Sequence, residues 1–205
     1  MGLRNQLMSL VTSLSLVQSR AARALSMTEV AYRGSPIVRQ DRSPVWEANV
    51  LASTETEAPG LADWAAFGEG PSPGDRAPDA PLVPGAPGRT HLFDVLRGTR
   101  HTLLLFDGAA ATAAGYANLT AIAETVRGRF GQLVDVHVVV PYASAPAALR
   151  WDGSVICDGE SEVHVRYGAR SECLYLVRPD GYVAYRCQPA DGKHLGAYLQ
   201  SIFTV

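Results

Sequence analysis

The sequence is short of lysine, cysteine and long apolar runs, and each shortage excludes something. Of 18 basic residues only Lys193 is a lysine, the arginines are scattered, and 20 acidic residues leave a net charge of −2. Nucleic acids and anionic membranes need a concentrated positive face, so no nucleic-acid partner and no membrane partner is expected. No stretch approaches the ~18–20 consecutive apolar residues that cross a bilayer. Three cysteines, Cys157, Cys173 and Cys187, are too few and too unevenly spaced for a disulfide scaffold or a zinc site. A reducing, cytoplasmic setting and no bound metal are the expectation. There is no Cys-x-x-Cys, and no Gly-x-Gly-x-x-Gly between a strand and a helix, the turn that seats a dinucleotide pyrophosphate.

Apolar residues, at 47% of the chain, are ample for a core. Leu3, Leu7, Leu10, Leu14, Val17, Ala21 and Leu25 recur at helical steps and predict an amphipathic leader helix that needs a surface to cover it. This stretch, residues 1–26, is also free of acids, a pattern shared with targeting peptides. Thr28 to Tyr32 reads as a short strand. From Pro59 to Gly88 seven prolines and six glycines predict irregular or polyproline backbone, with one helical turn at most around Trp64 and Phe67.

The domain proper is expected from about Gly74. His91 to Leu96 reads as a short amphipathic turn, Thr102–Phe106 as a buried strand and Thr112 to Phe130 as a helix. Leu133–Val140, rich in β-branched residues, predicts a second buried strand. A helix from Glu160 to Tyr167, a hairpin around Arg178-Pro179-Asp180-Gly181-Tyr182 and an amphipathic helix from Gly192 to Phe203 follow. The order β-α-β-loop-α-β-β-α implies a mixed sheet.

Tyr167-Gly168-Ala169-Arg170-Ser171-Glu172-Cys173, leading into that hairpin, is similar to the closing half of a thioredoxin fold. Cys173 stands where a thioredoxin has its proline. The earlier strand runs into Asp107-Gly108-Ala109-Ala110-Ala111-Thr112, where a thioredoxin carries its reactive cysteines. This end therefore reads as vacated.

Gly74-Asp75-Arg76-Ala77-Pro78-Asp79, His91-Leu92-Phe93-Asp94-Val95-Leu96-Arg97-Gly98, Thr102–Phe106 and Val177-Arg178-Pro179-Asp180-Gly181-Tyr182-Val183-Ala184-Tyr185-Arg186 occur in this order. Together they resemble the C-terminal thioredoxin-like domain of the FAD-dependent aromatic hydroxylases, which include phenol hydroxylase and the hydroxylases of aromatic polyketides. The leader, with Leu25 to Tyr32, is similar to the end of the preceding domain of those enzymes. The resemblance implies a thioredoxin-like α/β domain at 74–205, behind a leader at 1–33 and a Pro/Gly/Ala-rich connector at 34–73. It implies FAD and NADPH in the full-length enzymes, but the segments that contact them have no counterpart here. No cofactor is thus expected in this chain.

The expected role is noncatalytic: structural, dimerising, or docking a flavoprotein partner through the N-terminal helix. A second reading assigns a thiol oxidoreductase or peroxidase using Cys173 and Cys187. The hairpin turn suits a three-residue loop closed by Arg178 and Tyr182, and counting outward from it places Cys173 opposite Cys187. Facing positions on antiparallel strands lie within disulfide reach. A pair of reduced, packed thiols fits the same spacing, and a one-residue slip would put the two on opposite faces. A third reading is a binding or helper protein in aromatic polyketide biosynthesis. His137 and His164 are expected as satisfied structural groups, His91, His101 and His194 as surface or capping residues, and Trp151 as part of a turn.

Overall fold

The computed structural model describes residues 31–42, 60–82, 90–108 and 112–203. The expected leader helix, and residues 28–30 of the expected strand after it, lie outside these. Ala31 and Tyr32 belong to no strand. Tyr32–Val205 forms one compact unit.

A six-stranded mixed sheet organises this unit. In chain order the elements are β1 (Arg39–Arg42), α1 (Leu61–Glu69), α2 (Leu92–Leu96), β2 (His101–Phe106), α3 (Ala113–Phe130), β3 (Val134–Val140), β4 (Ser154–Cys157), α4 (Glu162–Tyr167), β5 (Cys173–Val177), β6 (Val183–Gln188) and α5 (Gly192–Ile202). The strands lie side by side as β1-β6-β5-β2-β3-β4. β2, β3 and β4 run parallel, β5 is antiparallel to β2 and β6, and β1 is parallel to β6.

The two faces of the sheet have separate cores. Leu103, Leu105, Leu174, Leu176 and Val138 pack under α3 and α5 with Leu119, Ile122, Leu195 and Leu199. Leu104, Phe106, Val139, Cys173 and Tyr175 pack under α1, α2 and α4 with Phe67, Leu92, Val163 and Tyr167. Period-2 alternation along β2 and β5 therefore feeds both cores, and Leu103–Phe106 of β2 and all of β5 form the near-continuous buried runs expected of strands covered on both faces.

Local signals set the helix ends. The Thr112 side chain accepts from the Gly115 amide at the start of α3, and that of Asp191 accepts from Lys193 and His194 at the start of α5. The expectation that no regular element survives between Pro59 and Gly88 is corrected by the nine residues of α1. Most breakers flank this helix rather than interrupt it: Pro59 and Gly60 precede it, Gly70 and Pro71 follow. Trp64 and Phe67 bury its inner face. β1, also within the expected connector, was not foreseen. Its residues Arg-Gln-Asp-Arg are polar, and the Tyr185 hydroxyl holds it by donating to Asp41 at 2.9 Å. Nor was β4 foreseen, a four-residue edge strand too short to show a period.

Candidate functional site

β2 delivers Asp107 to the position where a thioredoxin begins its active-site loop. The carboxylate is buried. Its Oδ2 accepts from the Tyr116 hydroxyl on the first turn of α3 at 3.0 Å. From the other side α4 presents His164, whose Nε2 lies 3.6 Å from Asp107 Oδ1, with side-chain exposures of 7% and 2%. Asp158 grips His164 twice, accepting from its backbone N–H at 2.9 Å and meeting its Nδ1 at 2.7 Å. Phe106 packs edge-on against the imidazole, with ring centroids 5.2 Å apart. Four polar side chains thus form one buried chain, Asp158–His164–Asp107–Tyr116.

Burial pushes the Asp107 carboxyl upward, and this outweighs the opposing pull of the nearby His164 imidazole and of the Tyr116 hydrogen bond. Burial also opposes charge on His164, but the nearby carboxylate of Asp107 and the hydrogen bond and field of Asp158 hold its imidazolium above the ordinary histidine range. Asp158 is held below the usual carboxylate range because its bonds to the His164 side chain and backbone outweigh burial. Beside this group Glu172 is pushed up to about 7, first by burial and further by Asp107, although Asn118 donates to it.

The structure separates the two cysteines proposed as a redox pair. The turn is as expected: Gly181 is left-handed at φ +83° and Arg178 and Tyr182 close the loop. Val177 faces Val183, but Leu176 faces Tyr185, so Ala184 is an extra residue that bulges the ladder. The shift carries outward, and Cys187 lies opposite Leu174. Because strand side chains alternate, Cys173 joins the core under α4 and Cys187 the core under α3 and α5. The expected facing of Cys173 and Cys187 is therefore corrected. All three cysteines are free thiols. Burial, reinforced by Glu172, pushes the Cys173 thiol well above its usual range, and burial takes Cys187 to about 12. A nucleophilic thiolate needs the opposite shift.

The remaining singled-out residues serve local structure. His137 Nδ1 meets Ser154 Oγ at 2.7 Å across β3 and β4. His91 stands at the N-cap of α2 with its ring 3.1 Å from Asp79, His101 packs against Phe203, and His194 lies 3.3 Å from its helix cap Asp191. Trp151 donates to the Ser154 carbonyl at 3.1 Å beneath the Arg127 guanidinium. Among the described residues no group of three or more His, Cys, Asp or Glu side chains is arranged to hold a metal, and no helix is long and apolar enough to cross a membrane.

In the sequence the end of β2 reads as vacated and His164 as a satisfied structural group. Asp107 and His164 are 57 positions apart, and nothing local announces that the fold joins them. Asp158, six residues before His164, was the one nearby signal.

The sequence profile of the family described as aromatic-ring hydroxylase, C-terminal, matches residues 70–204. The chain belongs to this family. Over 118 residues it is 36% identical to pentachlorophenol 4-monooxygenase of Sphingobium chlorophenolicum, a match covering 57% of this chain and 20% of the relative. The chain thus spans about a fifth of that enzyme's length. Aklavinone-11 hydroxylase, solved as a ternary complex with FAD and aklavinone, is 30% identical over 63% of this chain and 21% of its own, with a TM-score of 0.42. For the fold, a thiol:disulfide interchange protein DsbE from Chlorobium tepidum aligns over 64% of this chain and 97% of its own, with a TM-score of 0.51 at 20% identity. A thiol peroxidase from Chromobacterium violaceum aligns over 64% and 88%, with a TM-score of 0.50 at 16% identity. This aromatic-ring hydroxylase C-terminal domain therefore has the thioredoxin-like fold.

Proposed function

We propose that the chain serves as a noncatalytic thioredoxin-like domain of a flavin-dependent aromatic-ring monooxygenase, stabilising or docking the flavoprotein portion. One observation carries the proposal. Within a family of aromatic-ring hydroxylases, the strand end that serves thiol chemistry in thioredoxins is filled by a buried carboxylate–imidazole chain, and Cys173 is sealed in the core.

FAD, bound in the aklavinone hydroxylase complex, does not fit the described residues. A pyrophosphate needs free backbone amides and glycines that let it approach a helix start. At the β2 crossover Gly108 packs on the chain instead: a Cβ there would lie 2.6 Å from Ser171 Cα. The Asp107 carboxylate beside it adds an acidic group. At the other glycine-rich point, Gly70 packs against the Tyr167 carbonyl and the Tyr175 hydroxyl. The chemistry of hydroxylation is accordingly assigned to a flavoprotein partner, and its phenolic or polyketide substrate to that partner's site.

The test is to purify the chain and assay it alone and with the flavin-binding portion of a homologous hydroxylase. Alone, it should carry no flavin absorbance and oxidise no NADPH with a phenol. Mixed, it should raise the melting temperature or the coupled turnover of the flavoprotein. Flavin bound to the isolated chain, or peroxide and disulfide reduction that Cys173→Ser abolishes, would refute the proposal.

A further inference from the structure

The contact between Asp107 and His164 can close only with a proton in it. Asp158 takes up the Nδ1 side of the imidazole and also holds the backbone amide of the same residue. The ring is thereby fixed to α4, and its Nε2 edge must face β2. Opposite stands Asp107 Oδ1 at 3.6 Å. Neither Asp107 Oδ1 nor His164 Nε2 has a hydrogen-bond partner among the described residues, and both atoms are fully enclosed. If Nε2 carries the proton, a donor faces a carboxylate. If Asp107 carries it, a carboxylic acid faces a ring nitrogen lone pair. If neither does, two enclosed acceptors confront each other and each lacks its bond.

From this geometry we infer that Asp107 and His164 form a one-proton clasp joining the end of β2 to α4, which opens when that proton is lost at alkaline pH. The proton passes to solvent base as the N–H or O–H bond breaks, and no other bond changes. Opening loosens α4 and the segment after it, residues 168–171, from the sheet. That segment is packed against the same strand end, with Ser171 against Gly108.

The carboxyls around the clasp act in one direction, whereas the Tyr116 hydroxyl favours the ionised form of Asp107. From α3 the Tyr116 hydroxyl donates to Asp107, with Tyr142 beside it. From the start of β5 Glu172, bonded to Asn118, adds a second carboxyl whose ionisation repels Asp107. Cys173, next in sequence, is a buried neutral thiol. Glu162, on α4 itself, is paired with Arg166. The two nearby ionisable carboxyls, Asp158 and Glu172, both favour keeping the proton.

The test follows His164 by NMR of 13C-labelled histidine from pH 5 to 9.5, with His164→Gln assigning its resonance. In parallel, amide exchange of residues 162–171 is measured and divided by the intrinsic rate at each pH. His164 should titrate above 6.5, and normalised exchange of 162–171 should rise about tenfold across its midpoint. Asp107→Asn places an amide donor opposite neutral Nε2 and removes the carboxylate charge. It should lower the His164 midpoint by about one unit, a tenfold drop in proton affinity, and flatten the exchange profile. A wild-type His164 midpoint at or below 6.5, normalised exchange independent of pH, or an unchanged midpoint in D107N would each overturn the clasp. The wild-type measurements decide without any variant, so a D107N chain that fails to fold leaves the test intact.

Discussion

Arg186 lies over the ring of Phe67, with its guanidinium carbon 4.6 Å from the ring centroid, and its Nη1 donates to the Phe67 carbonyl at 2.8 Å. The same nitrogen donates to the Gly70 and Pro71 carbonyls at 3.1 and 3.0 Å, and Nε donates to Gln40 at 2.8 Å. One buried side chain on β6 thus ties down the end of α1, the proline-rich turn after it and the edge strand β1. Arg186→Ala would leave three carbonyls without this donor, each enclosed acceptor costing about 1–3 kcal/mol. A loss of about 3 kcal/mol or more is expected as a lower urea midpoint. Arg186→Lys should recover only part, because one ammonium can replace Nη1 but cannot also supply the Nε bond to Gln40 or the planar stacking on Phe67. An unchanged midpoint for R186A would show that these bonds are replaced by water.

Gly168 ends α4 in the left-handed region at φ +62°, and a Cβ there would strike the Ala66 carbonyl of α1. Gly168→Ala combines backbone strain with a backbone clash, so a loss above about 2 kcal/mol is expected by urea unfolding. Gly181, also at positive φ but with open space around it, should lose only the conformational part, about 1 kcal/mol. Equal losses at the two sites would refute the close packing of α1 on α4.

Stability should increase as pH falls from 8 to about 5. The folded carboxyl of Glu172 is pushed up to about 7, and Asp107 is also raised. Both bind protons in the folded state that the unfolded chain has released, so their contribution is full at low pH and declines as pH rises. His164 is raised too, and its contribution is present below 6.5 and lost above its folded value. Asp158 and Asp75 are held low, so their contributions disappear as pH falls below about 3.8. Thermal unfolding across pH 3–9 should therefore peak on the mildly acidic side. Glu172→Gln should flatten the slope between pH 5 and 7.5.

The thiols should react in a fixed order. Cys157 is partly exposed at the edge of the sheet, whereas Cys173 and Cys187 are buried on opposite faces. A thiol reagent on the native protein should label Cys157 first, and all three residues only in denaturant. Under mild oxidant the chain should form no intramolecular bond between Cys173 and Cys187. A mass shift of two protons localised to that pair would overturn the register described for β5 and β6.

Period and composition were enough to read most of the elements. β2, α3, β3, α4, the hairpin and α5 are each announced by local features: β-branched runs, Thr112 and Asp191 as caps, and the Pro-Asp-Gly turn. The family resemblance was equally visible, since its motifs lie in order along residues 74–186. The edge strands were not legible, because β1 and β4 are four residues long and exist only through their partners. The helix inside the Pro/Gly-rich stretch was underestimated because the composition of a window hides where its breakers stand.

For this protein, local side-chain preferences determined which segments become strands and helices, since propensity, capping and turn chemistry act over a few residues. Tertiary structure decided the rest, because each remaining fact depends on residues far apart in the chain. The bulge at Ala184 moves Cys173 and Cys187 to opposite faces, a one-residue shift that alternation amplifies. The meeting of Asp107 with His164 follows from the sheet crossing, which sets the end of β2 beside α4. Burial then gives that meeting its chemistry, since the same two groups in water would interact weakly.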